Sequence, residues 1–332
     1  MSTTNHHVIF ERYGEAAVLQ FRETDVPAYG PGEVLLRTSA IGVNYSDALR
    51  RRDAYFMPTP LPYVPGTEVV GTILQAGAGV EAPYLPGTRV LAILPAGGGY
   101  AEYVTAAAQY CVPLPPQIDD RTATGIFVQG STARLMITQL AGDLAGKTVL
   151  VNAAAGGVGS LLVQMAKLGG ARVIGAAGGA AKQDVVRELG ADAAVDYRIA
   201  GWSDRVREAT GGRGVDIAFE MVGGEVYNES LRTLAPGGHL IVYGCASGVQ
   251  GAVEPERFVD HNWRQSGFNL AHYLQQHNAV WQQALGEVIG LLASGQLRVR
   301  TAKTFPLDRA AEAHRQLEAR ETTGKVVLLT RA

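Results

Sequence analysis

The 332-residue chain is poor in cysteine and has no long apolar run. It contains two cysteines, Cys111 and Cys245, and no uninterrupted stretch of the ~20 apolar residues that a membrane span requires. Two cysteines cannot build a disulfide framework, and no apolar N-terminal segment resembles a signal peptide. Because a reducing compartment suits such a chain, we expect a cytoplasmic protein that does not enter a membrane.

An excess of charge of one sign is also missing. Lys and Arg together number 29, Asp and Glu 31, and the formal net charge is -2. Nucleic acids and anionic membranes attract basic surfaces, so we expect neither as a partner. Hydrophobic residues make up 47% and charged residues 18% of the chain, which is typical of a folded globular protein.

The first third of the chain has the texture of a β domain. Between about residues 8 and 124, short apolar runs such as 34–38, 69–74 and 89–93 alternate with turns rich in Gly and Pro. Short strands at such spacing predict a mainly β domain whose sheet rolls on itself.

From about residue 125 the pattern becomes strand, then helix, repeated. Residues 148–152 and 172–176 are compact apolar strands, and residues 158–168 between them have helical periodicity. Near-continuous apolar strands alternating with helices predict a parallel sheet buried on both faces, in a doubly wound domain.

The C-terminal tail is expected to return to the first domain. It contains a predicted helix over residues 279–293, an amphipathic helix over 308–319 and a strand over 325–329. The predicted organisation is therefore a discontinuous β-rich domain interrupted by a doubly wound domain. The expected bounds are 1–125 with 266–332 for the former, and 126–265 for the latter.

The turn after the strand 148–152 carries a dinucleotide-binding sequence. Residues 153–159 read AAAGGVG, so Ala154 replaces the first glycine of the usual motif and Gly156 and Gly159 follow. The small first residue permits a tight turn, Gly156 lets backbone N–H groups approach a pyrophosphate, and Gly159 lets the helix pack on the strand. The helix N-terminus would then face the phosphates. A glycine-rich loop kept for packing alone is the alternative interpretation.

The second strand indicates which cofactor fits. An NAD site usually ends this strand in Asp or Glu, which binds the ribose 2′-hydroxyl, whereas residues 176–179 here are Ala and Gly. Lys182 and Arg198 follow and would attract a 2′-phosphate, so NADPH is the predicted cofactor. In the alternative interpretation these two cations are ordinary solvated charges.

Four segments together carry a family resemblance. They are GVNYSD at 42–47, PGTE at 65–68, AAAGGVG at 153–159 and TGKVVL at 323–328. In this order the chain resembles the zinc-independent, zeta-crystallin-like quinone oxidoreductase branch of the medium-chain dehydrogenase/reductase superfamily. The resemblance implies a GroES-like β-rich catalytic domain and a Rossmann domain, with the active site in the cleft between them. It also implies a homodimer, or a tetramer, built through the edge of the Rossmann sheet.

The resemblance assigns roles to individual residues. Lys182 and Tyr197 would bind the 2′-phosphate end, Asn44 and Thr132 would lie beside the nicotinamide and its ribose, and the loops 244–248 and 267–270 would flank the ring. The full set of expected cofactor-binding residues is Asn44, Thr132, Ala154, Gly156, Gly157, Val158, Gly159, Gly178, Lys182, Tyr197, Gly244, Cys245, Ser247, Phe268, Leu270 and Lys325.

A zinc site is not expected. The zinc enzymes of the superfamily use Cys and His ligands, but residues 44–47 contain no cysteine and Thr67 stands before Glu68 where those enzymes have His. The histidines at 239, 261, 272, 277 and 314 have no metal-ligand spacing and are expected on the surface or in loops. Without a Lewis acid, the plausible substrates accept hydride at a conjugated, electron-poor carbon, such as quinones and enones.

Tyr55 and Asn44 are the predicted catalytic residues. Tyr55 matches the position of a cleft tyrosine in related reductases, where it would hydrogen-bond the substrate carbonyl or protonate the enolate; alternatively it only lines an apolar pocket. Residues 50–52 are three consecutive arginines, which we interpret as a solvated charge run. The alternative is that they guide an anionic substrate such as a coenzyme A thioester.

The predicted function is NADPH-dependent reduction of a quinone or an α,β-unsaturated carbonyl compound without a metal. Two alternatives stay open. One is an enoyl-thioester reductase acting on acyl-CoA or acyl-carrier substrates. The other is a non-catalytic NADPH-binding protein.

Overall fold

The computed structural model describes residues 4–331 and divides into two units. Unit 1 comprises the chain up to residue 128 and again from residue 300, and unit 2 comprises residues 129–299. The first boundary lies close to the expected one. The second was expected at 265/266 and lies at 299/300, for a reason given below.

Unit 1 is built on β-sheets. Numbered along the chain, the strands of this unit are β1 (Thr4–Ile9), β2 (Gln20–Asp25), β3 (Glu33–Val43), β4 (Glu68–Ala76), β5 (Arg89–Ile93), β6 (Tyr103–Ala107), β7 (Cys111–Pro113), β14 (Thr301–Pro306) and β15 (Lys325–Leu329). Seven of them form a sheet in the order β14-β15-β3-β4-β5-β7, with β6 pairing on β3, and β1 and β2 form a separate pair.

The long strand β3 determines where the polar residues of unit 1 meet. Its apolar side chains Leu36 and Ile41 are fully buried and join a core that includes Phe10. β3 pairs antiparallel with β15 on one side and β4 on the other, with Val326 opposite Val43. The end of β3 and the first residues of β4 and β15 therefore lie at one end of three adjacent strands.

Three α-helices lie in the part of unit 1 that the structure describes. They are α1 (Tyr45–Arg51), α2 (Asp120–Ala123) and α11 (Ala310–Glu318). α1 begins directly after β3, and its first turn is capped by the Asp47 carboxylate, which accepts the backbone N–H of Asn44 at 2.8 Å. α11 packs against α1 and against β14 and β15.

Unit 2 contains a parallel sheet of six strands. They are β8 (Thr148–Asn152), β9 (Arg172–Ala176), β10 (Ala193–Val195), β11 (Val215–Glu220), β12 (Leu234–Val242) and β13 (Arg264–Gly267). The predicted apolar strands 148–152 and 172–176 coincide with β8 and β9. The order of the strands in the sheet is β10-β9-β8-β11-β12-β13. Relative to their sequence within the unit this is 3-2-1-4-5-6, the Rossmann order, so the expected doubly wound fold is confirmed.

Helices cover the sheet of unit 2. The segment from Ile126 to Ala141 is helical, with π-helical turns at Ile126–Ser131 and Met136–Ala141. No helix among residues 4–331 is long and apolar enough to cross a membrane. The α-helices are α3 (Thr132–Leu135), α4 (Gly157–Leu168), α5 (Ala180–Glu188), α6 (Trp202–Ala209), α7 (Gly224–Thr233), α8 (Pro255–His261), α9 (Leu270–Gln276) and α10 (Asn278–Ala293).

The later boundary between the units has a structural cause. β13 adds to the parallel sheet beside β12, and the helix α10 packs against α3 and buries Trp281 within unit 2. The sequence of β13 is RQSG, which is polar because the strand forms a sheet edge, so hydrophobic periodicity does not reveal it. The chain therefore stays in unit 2 until residue 299 rather than 265.

Candidate functional site

The expected cofactor residues of unit 2 lie mostly at one edge of its sheet. The carboxyl ends of parallel strands share an edge, and ligands of doubly wound sheets bind there, where the strand order reverses. That reversal falls between β8 and β11. Residues 153–159 follow β8, 177–179 follow β9, 196–198 follow β10, 243–247 follow β12, and 268–270 follow β13. Thr132 instead lies on α3, buried, and α3 packs against α4.

The turn after β8 is formed by small residues that pack closely. Ala153 adopts a left-handed conformation with φ of 48°, and a Cβ on Gly159 would overlap the carbonyl oxygen of Ala153. A Cβ on Gly157 would overlap the side chain of Gln129. The backbone N–H of Ala154 donates to the Ala176 carbonyl at 3.1 Å and fixes the turn to β9.

The helix that follows supplies donors for an anion. α4 has Gly156 as its N-cap and begins at Gly157. The first N–H groups of a helix, here those of Gly157, Val158 and Gly159, have no intrahelical acceptor and carry the positive end of the helix dipole. These donors, above a turn built of Ala and Gly, fit a pyrophosphate.

After β9, the side chain of Arg198 lies against Gly178 and Gly179. A Cβ on Gly178 would lie 3.0 Å from Cδ of Arg198, and one on Gly179 would lie 2.7 Å from its Nη2. The Arg198 guanidinium donates to Asp196 through Nε at 3.1 Å and Nη2 at 2.9 Å, and Asp196 also accepts the N–H of Gly179 at 2.8 Å. Lys182, in the first turn of α5, and Tyr197 are both half-buried.

Asp196 corrects part of the sequence interpretation. No acid ends β9, but the end of the neighbouring β10 brings the Asp196 carboxylate to the same place. The hydrogen bonds from Arg198 lower the pKa of Asp196 to about 2, so this carboxylate is ionised and paired. The Arg198 side chain is 62% exposed and keeps the outer face of its guanidinium available to an anion.

The loops after β12 and β13 are held by their own side chains. Cys245 Sγ donates to the Val249 carbonyl at 3.0 Å, and Ser247 Oγ donates to the same oxygen at 3.2 Å. Because these two side chains are used inside the loop that begins at Gly244, they leave mainly backbone groups for a ligand. Phe268 stacks on Tyr273 with ring centroids 5.3 Å apart, and Leu270 is the first residue of α9.

Glu220, at the end of β11, is a candidate functional residue that is absent from the set predicted from the sequence. It is fully buried, and its Oε1 accepts the N–H groups of Val222 at 2.6 Å and Gly223 at 3.0 Å. No described residue hydrogen-bonds its Oε2. Burial raises the pKa of this carboxyl group. The signal in the sequence is an acid that ends an apolar strand at the point where the strand order reverses.

In unit 1, Asn44 is held by a buried ion pair. Lys325 Nζ lies 2.5 Å from Glu68 Oε1 and 2.8 Å from Asn44 Oδ1, while Asn44 Nδ2 donates to Glu68 Oε1 at 2.7 Å. Lys325 and Glu68 are both fully buried, and Asn44 is 5% exposed. A Cβ on Gly42 would lie 2.8 Å from Lys325 Cε, so glycine at this position makes room for the pair.

These contacts define what the Asn44 amide offers a ligand. Its oxygen accepts from Lys325, and one of its two N–H groups donates to Glu68. One N–H group of the amide remains. Lys325, which the family resemblance places among the cofactor-binding residues, is fully buried and contacts Asn44 and Glu68.

A second buried chain of polar groups runs from Asp47. The hydroxyl of Tyr100 lies 3.3 Å from Asp47 Oδ2 and 3.0 Å from His314 Nε2, and all three residues are fully buried. Burial raises the pKa of Asp47 to about 6 and lowers the pKa of His314 to about 3. The expectation that His314 lies on the surface or in a loop is therefore wrong, and His239, 5% exposed, is also buried.

The arginine run is not the solvated surface that the sequence suggested. Arg50 is 8% and Arg51 0% exposed, and only Arg52 of the three is exposed. Arg51 is buried because it pairs with Glu318 at 2.5 Å, which connects α1 with α11. The Arg50 guanidinium lies over the ring of Tyr55, 4.2 Å from its centroid. Burial raises the pKa of the half-buried Tyr55, so its phenol stays protonated at neutral pH.

Metal ligands are not gathered anywhere within residues 4–331. No group of three or more His, Cys, Asp or Glu side chains there is placed to hold a metal ion. Burial raises the pKa of the Cys111 thiol to about 12, which makes it a poor nucleophile.

Comparison with known proteins agrees with this architecture. Residues 30–116 match the alcohol dehydrogenase GroES-like domain family, and residues 189–328 match a family described as zinc-binding dehydrogenase. A 2-haloacrylate reductase from a Burkholderia species is 35% identical over 324 residues, covering 94% of this chain and 95% of the relative.

Two solved structures are similar over nearly the whole chain. The Escherichia coli quinone oxidoreductase in complex with NADPH has a TM-score of 0.90 at 29% identity, covering 98% of this chain and 99% of the other. A mycobacterial protein in complex with NADPH has a TM-score of 0.90 at 34% identity, with the same coverage. The chain belongs to the medium-chain dehydrogenase/reductase superfamily, and within it to the quinone oxidoreductase branch.

Asp47 and His314 predict how stability changes with pH. The native pKa of Asp47, about 6, exceeds its ordinary 3.8, so its contribution to the free energy of unfolding falls as the pH rises through that interval. The native pKa of His314, about 3, is below its ordinary 6.5, so its contribution falls as the pH drops through that interval. Between about pH 4 and 6 the two slopes oppose each other.

Asp47→Asn should remove the opposing contribution of Asp47, so that the free energy of unfolding follows the pH dependence due to His314. We expect the free energy of unfolding of this variant, measured by urea denaturation, to fall more steeply on acidification than that of the wild type, by up to about 1.4 kcal/mol per pH unit. His314→Gln is the matched control and should change the slope in the opposite direction. Parallel pH profiles for the wild type and Asp47→Asn would contradict this assignment.

Proposed function

We propose that this chain is an NADPH-dependent reductase that delivers hydride to a quinone or an α,β-unsaturated carbonyl compound without a metal ion. The observation that carries the proposal is the sheet edge of unit 2, where the glycine-rich turn before α4 follows β8 and Arg198 lies across Gly178 and Gly179. The relatives named as quinone oxidoreductases and as a 2-haloacrylate reductase support the choice of substrate class.

The residues present fit NADPH. The N–H groups of Gly157, Val158 and Gly159 would bind the pyrophosphate, with Ala154 and Gly156 shaping the turn. Arg198, Lys182 and Tyr197 would bind the 2′-phosphate, and Gly178 lets the Arg198 side chain lie against the backbone. The loops that contain Gly244, Cys245, Ser247, Phe268 and Leu270, together with Thr132, would bind the nicotinamide half. The bound cofactor supplies a hydride from its nicotinamide ring.

Asn44 and Tyr55 are the proposed catalytic residues of unit 1. The remaining N–H of the Asn44 amide would bind a hydroxyl of the nicotinamide ribose. We assign Lys325 and Glu68 as positioning residues, because both act on the Asn44 amide from within the fold. Tyr55 has a phenol that stays protonated and would hydrogen-bond the substrate oxygen or protonate the enolate formed by hydride addition.

We also propose that the protein is a homodimer and is located in the cytoplasm. β13 lies at one edge of the unit 2 sheet, and Val249, Val253 and Val259 are exposed in the chain segment that precedes it. A free edge and apolar side chains in the same region support a homodimer formed through the sheet edge. Both cysteines are free, which suits the reducing cytoplasm.

Cofactor oxidation on a panel of electrophiles tests the function. NADPH and NADH oxidation would be followed by absorbance with 1,4-benzoquinone, an alkenal and crotonyl-CoA offered separately. We expect turnover of the quinone or the alkenal, with NADPH preferred. Turnover of crotonyl-CoA alone would establish the enoyl-thioester reductase instead. NADPH binding without turnover of any acceptor would contradict the enzymatic proposal.

Arg198→Ala should weaken the preference for NADPH. The substitution removes a cation beside the 2′-phosphate and leaves the Asp196 carboxylate unpaired there, so phosphate binding loses an attraction and gains a repulsion. We expect the dissociation constant for NADPH, measured by fluorescence titration, to rise at least ~10-fold. The constant for NADH should rise less or fall. Equal effects on both cofactors would show that Arg198 does not face the 2′-phosphate.

A further inference from the structure

A cavity of about 440 Å³ lies on one face of the unit 1 sheet, and all the residues that line it belong to unit 1. Leu35 and Arg37 of β3 line it, and Tyr103 of β6 lies directly opposite Arg37 in the sheet. Leu36, between the two β3 residues, points to the opposite face and is fully buried in the core. Small-molecule sites typically measure about 300–1,000 Å³, so this space, which we call the β3 cavity, has the size of a ligand site.

One wall of the β3 cavity is the coil between β2 and β3, which contributes Pro27 and Tyr29. The N–H of Gly30 donates to Glu33 Oε2 at 2.7 Å, and the N–H of Gly77, just after β4, donates to the Glu33 carbonyl at 2.8 Å. A Cβ on Gly77 would overlap the Gly30 carbonyl oxygen, so the coil packs closely against the end of β4. A ligand would therefore meet a wall that is already in place, which lowers the entropic cost of binding.

Four polar side chains line the β3 cavity, and none of them has a partner among residues 4–331. They are those of Tyr29, Arg37, Gln75 and Tyr103. No ion pair or side-chain hydrogen bond in that part of the chain uses them, whereas Arg89, on the same sheet, pairs with Asp120 at 2.7 Å. Arg37 is exposed, so its guanidinium is accessible to a ligand that enters the cavity.

The lining indicates the chemistry of a ligand. A guanidinium presents parallel N–H groups that match the two oxygens of a carboxylate. Leu35, Leu74 and Pro27 are apolar, and the rings of Tyr29 and Tyr103 add aromatic surface, against which a flat ring packs well. The phenol and carboxamide groups can donate further hydrogen bonds to the oxygens of an acid. One cation beside aromatic and apolar side chains therefore suits a carboxylate attached to a small aromatic ring.

We propose that the β3 cavity binds a small aromatic carboxylate through Arg37. The site is separate from the proposed catalytic residues, because Asn44 follows the opposite end of β3, roughly 20 Å from Arg37 along the strand. The inference goes beyond the proposed function and does not depend on it. It assigns a second ligand, distinct from the substrate and the cofactor, to side chains that the proposed reaction does not use.

Three probes separate the contributions of the charge and the ring. Benzamide has the ring of benzoate without its charge, and cyclohexanecarboxylate has the charge without an aromatic ring. Their dissociation constants would be measured by NMR titration of the full chain without NADPH. We expect benzoate to bind about 3- to 10-fold more tightly than benzamide, because only the acid pairs with the guanidinium. Cyclohexanecarboxylate should bind more weakly than benzoate, because its puckered ring packs less well on the tyrosines.

Substitutions at the β3 cavity assign the binding to it. Arg37→Met should weaken benzoate about 3- to 10-fold and leave benzamide unchanged, so that the two bind alike. Arg12→Met, which removes an exposed arginine that does not line the cavity, is the matched control and should change neither constant. Tyr103→Leu should remove the preference for benzoate over cyclohexanecarboxylate. Thermal unfolding checks each fold, and Tyr29→Leu, in the coil, provides the same test if Tyr103→Leu does not fold.

The outcomes decide the inference without reference to turnover. A preference for benzoate over benzamide that is lost in Arg37→Met and kept in Arg12→Met would support the site. No measurable binding of benzoate to the wild type would overturn it, and so would a preference that persists in Arg37→Met, because the acid would then bind elsewhere. Equal affinities for benzoate and cyclohexanecarboxylate would overturn the aromatic class of ligand. None of these results changes the outcome of the cofactor oxidation assay, which tests the reductase separately.

Discussion

The ion pair between Lys325 and Glu68 holds unit 1 together at the point where its candidate catalytic residues lie. The two residues are 257 positions apart in the chain, and both are fully buried. Removing one partner of such a pair typically costs about 3–5 kcal/mol, because the other charge is left buried and uncompensated. Lys325 begins β15, so the pair can form only when the chain returns from unit 2 and β15 pairs with β3. The same contact determines the orientation of the Asn44 amide, and the fold and the site therefore depend on one interaction.

In unit 2, too, a carboxylate forms a contact that positions a residue of the candidate site. Its parallel strands bring separate turns to one edge, and the Asp196–Arg198 pair connects the ends of β9 and β10. The carboxylate satisfies the N–H of Gly179 and keeps the guanidinium over the glycines. In both units a carboxylate positions another residue that is proposed to meet the cofactor. Substitution of these carboxylates would therefore affect function through a neighbour.

Local patterns explain why much of the fold could be predicted from sequence. β8, β9 and the turn of residues 153–159 follow from apolar runs and glycine spacing, which are properties of short segments. The second domain boundary could not be predicted, because β13 is a polar edge strand. Asp196 was missed as a neighbour of Gly179 since the contact depends on the pairing of β9 with β10. The burial of Arg50, Arg51 and His314 likewise depends on how α1 and α11 pack, which no local pattern records.

Lys325 illustrates the same limit at the site. The segment TGKVVL predicted a role for Lys325 in cofactor binding. Only the register of β15, β3 and β4 shows that its ammonium group contacts Asn44 and Glu68. We therefore propose that Lys325 affects the cofactor only through Asn44.

A double-mutant cycle in NADPH affinity tests that assignment most directly. The dissociation constant would be measured for the wild type, Asn44→Ala, Lys325→Met and the double variant, each shown to be folded by circular dichroism. If Lys325 acts through Asn44, each single substitution weakens binding and the double variant binds no more weakly than Asn44→Ala. Additive losses in the double variant would contradict the account, because they would mean that Lys325 contributes to cofactor binding independently of Asn44.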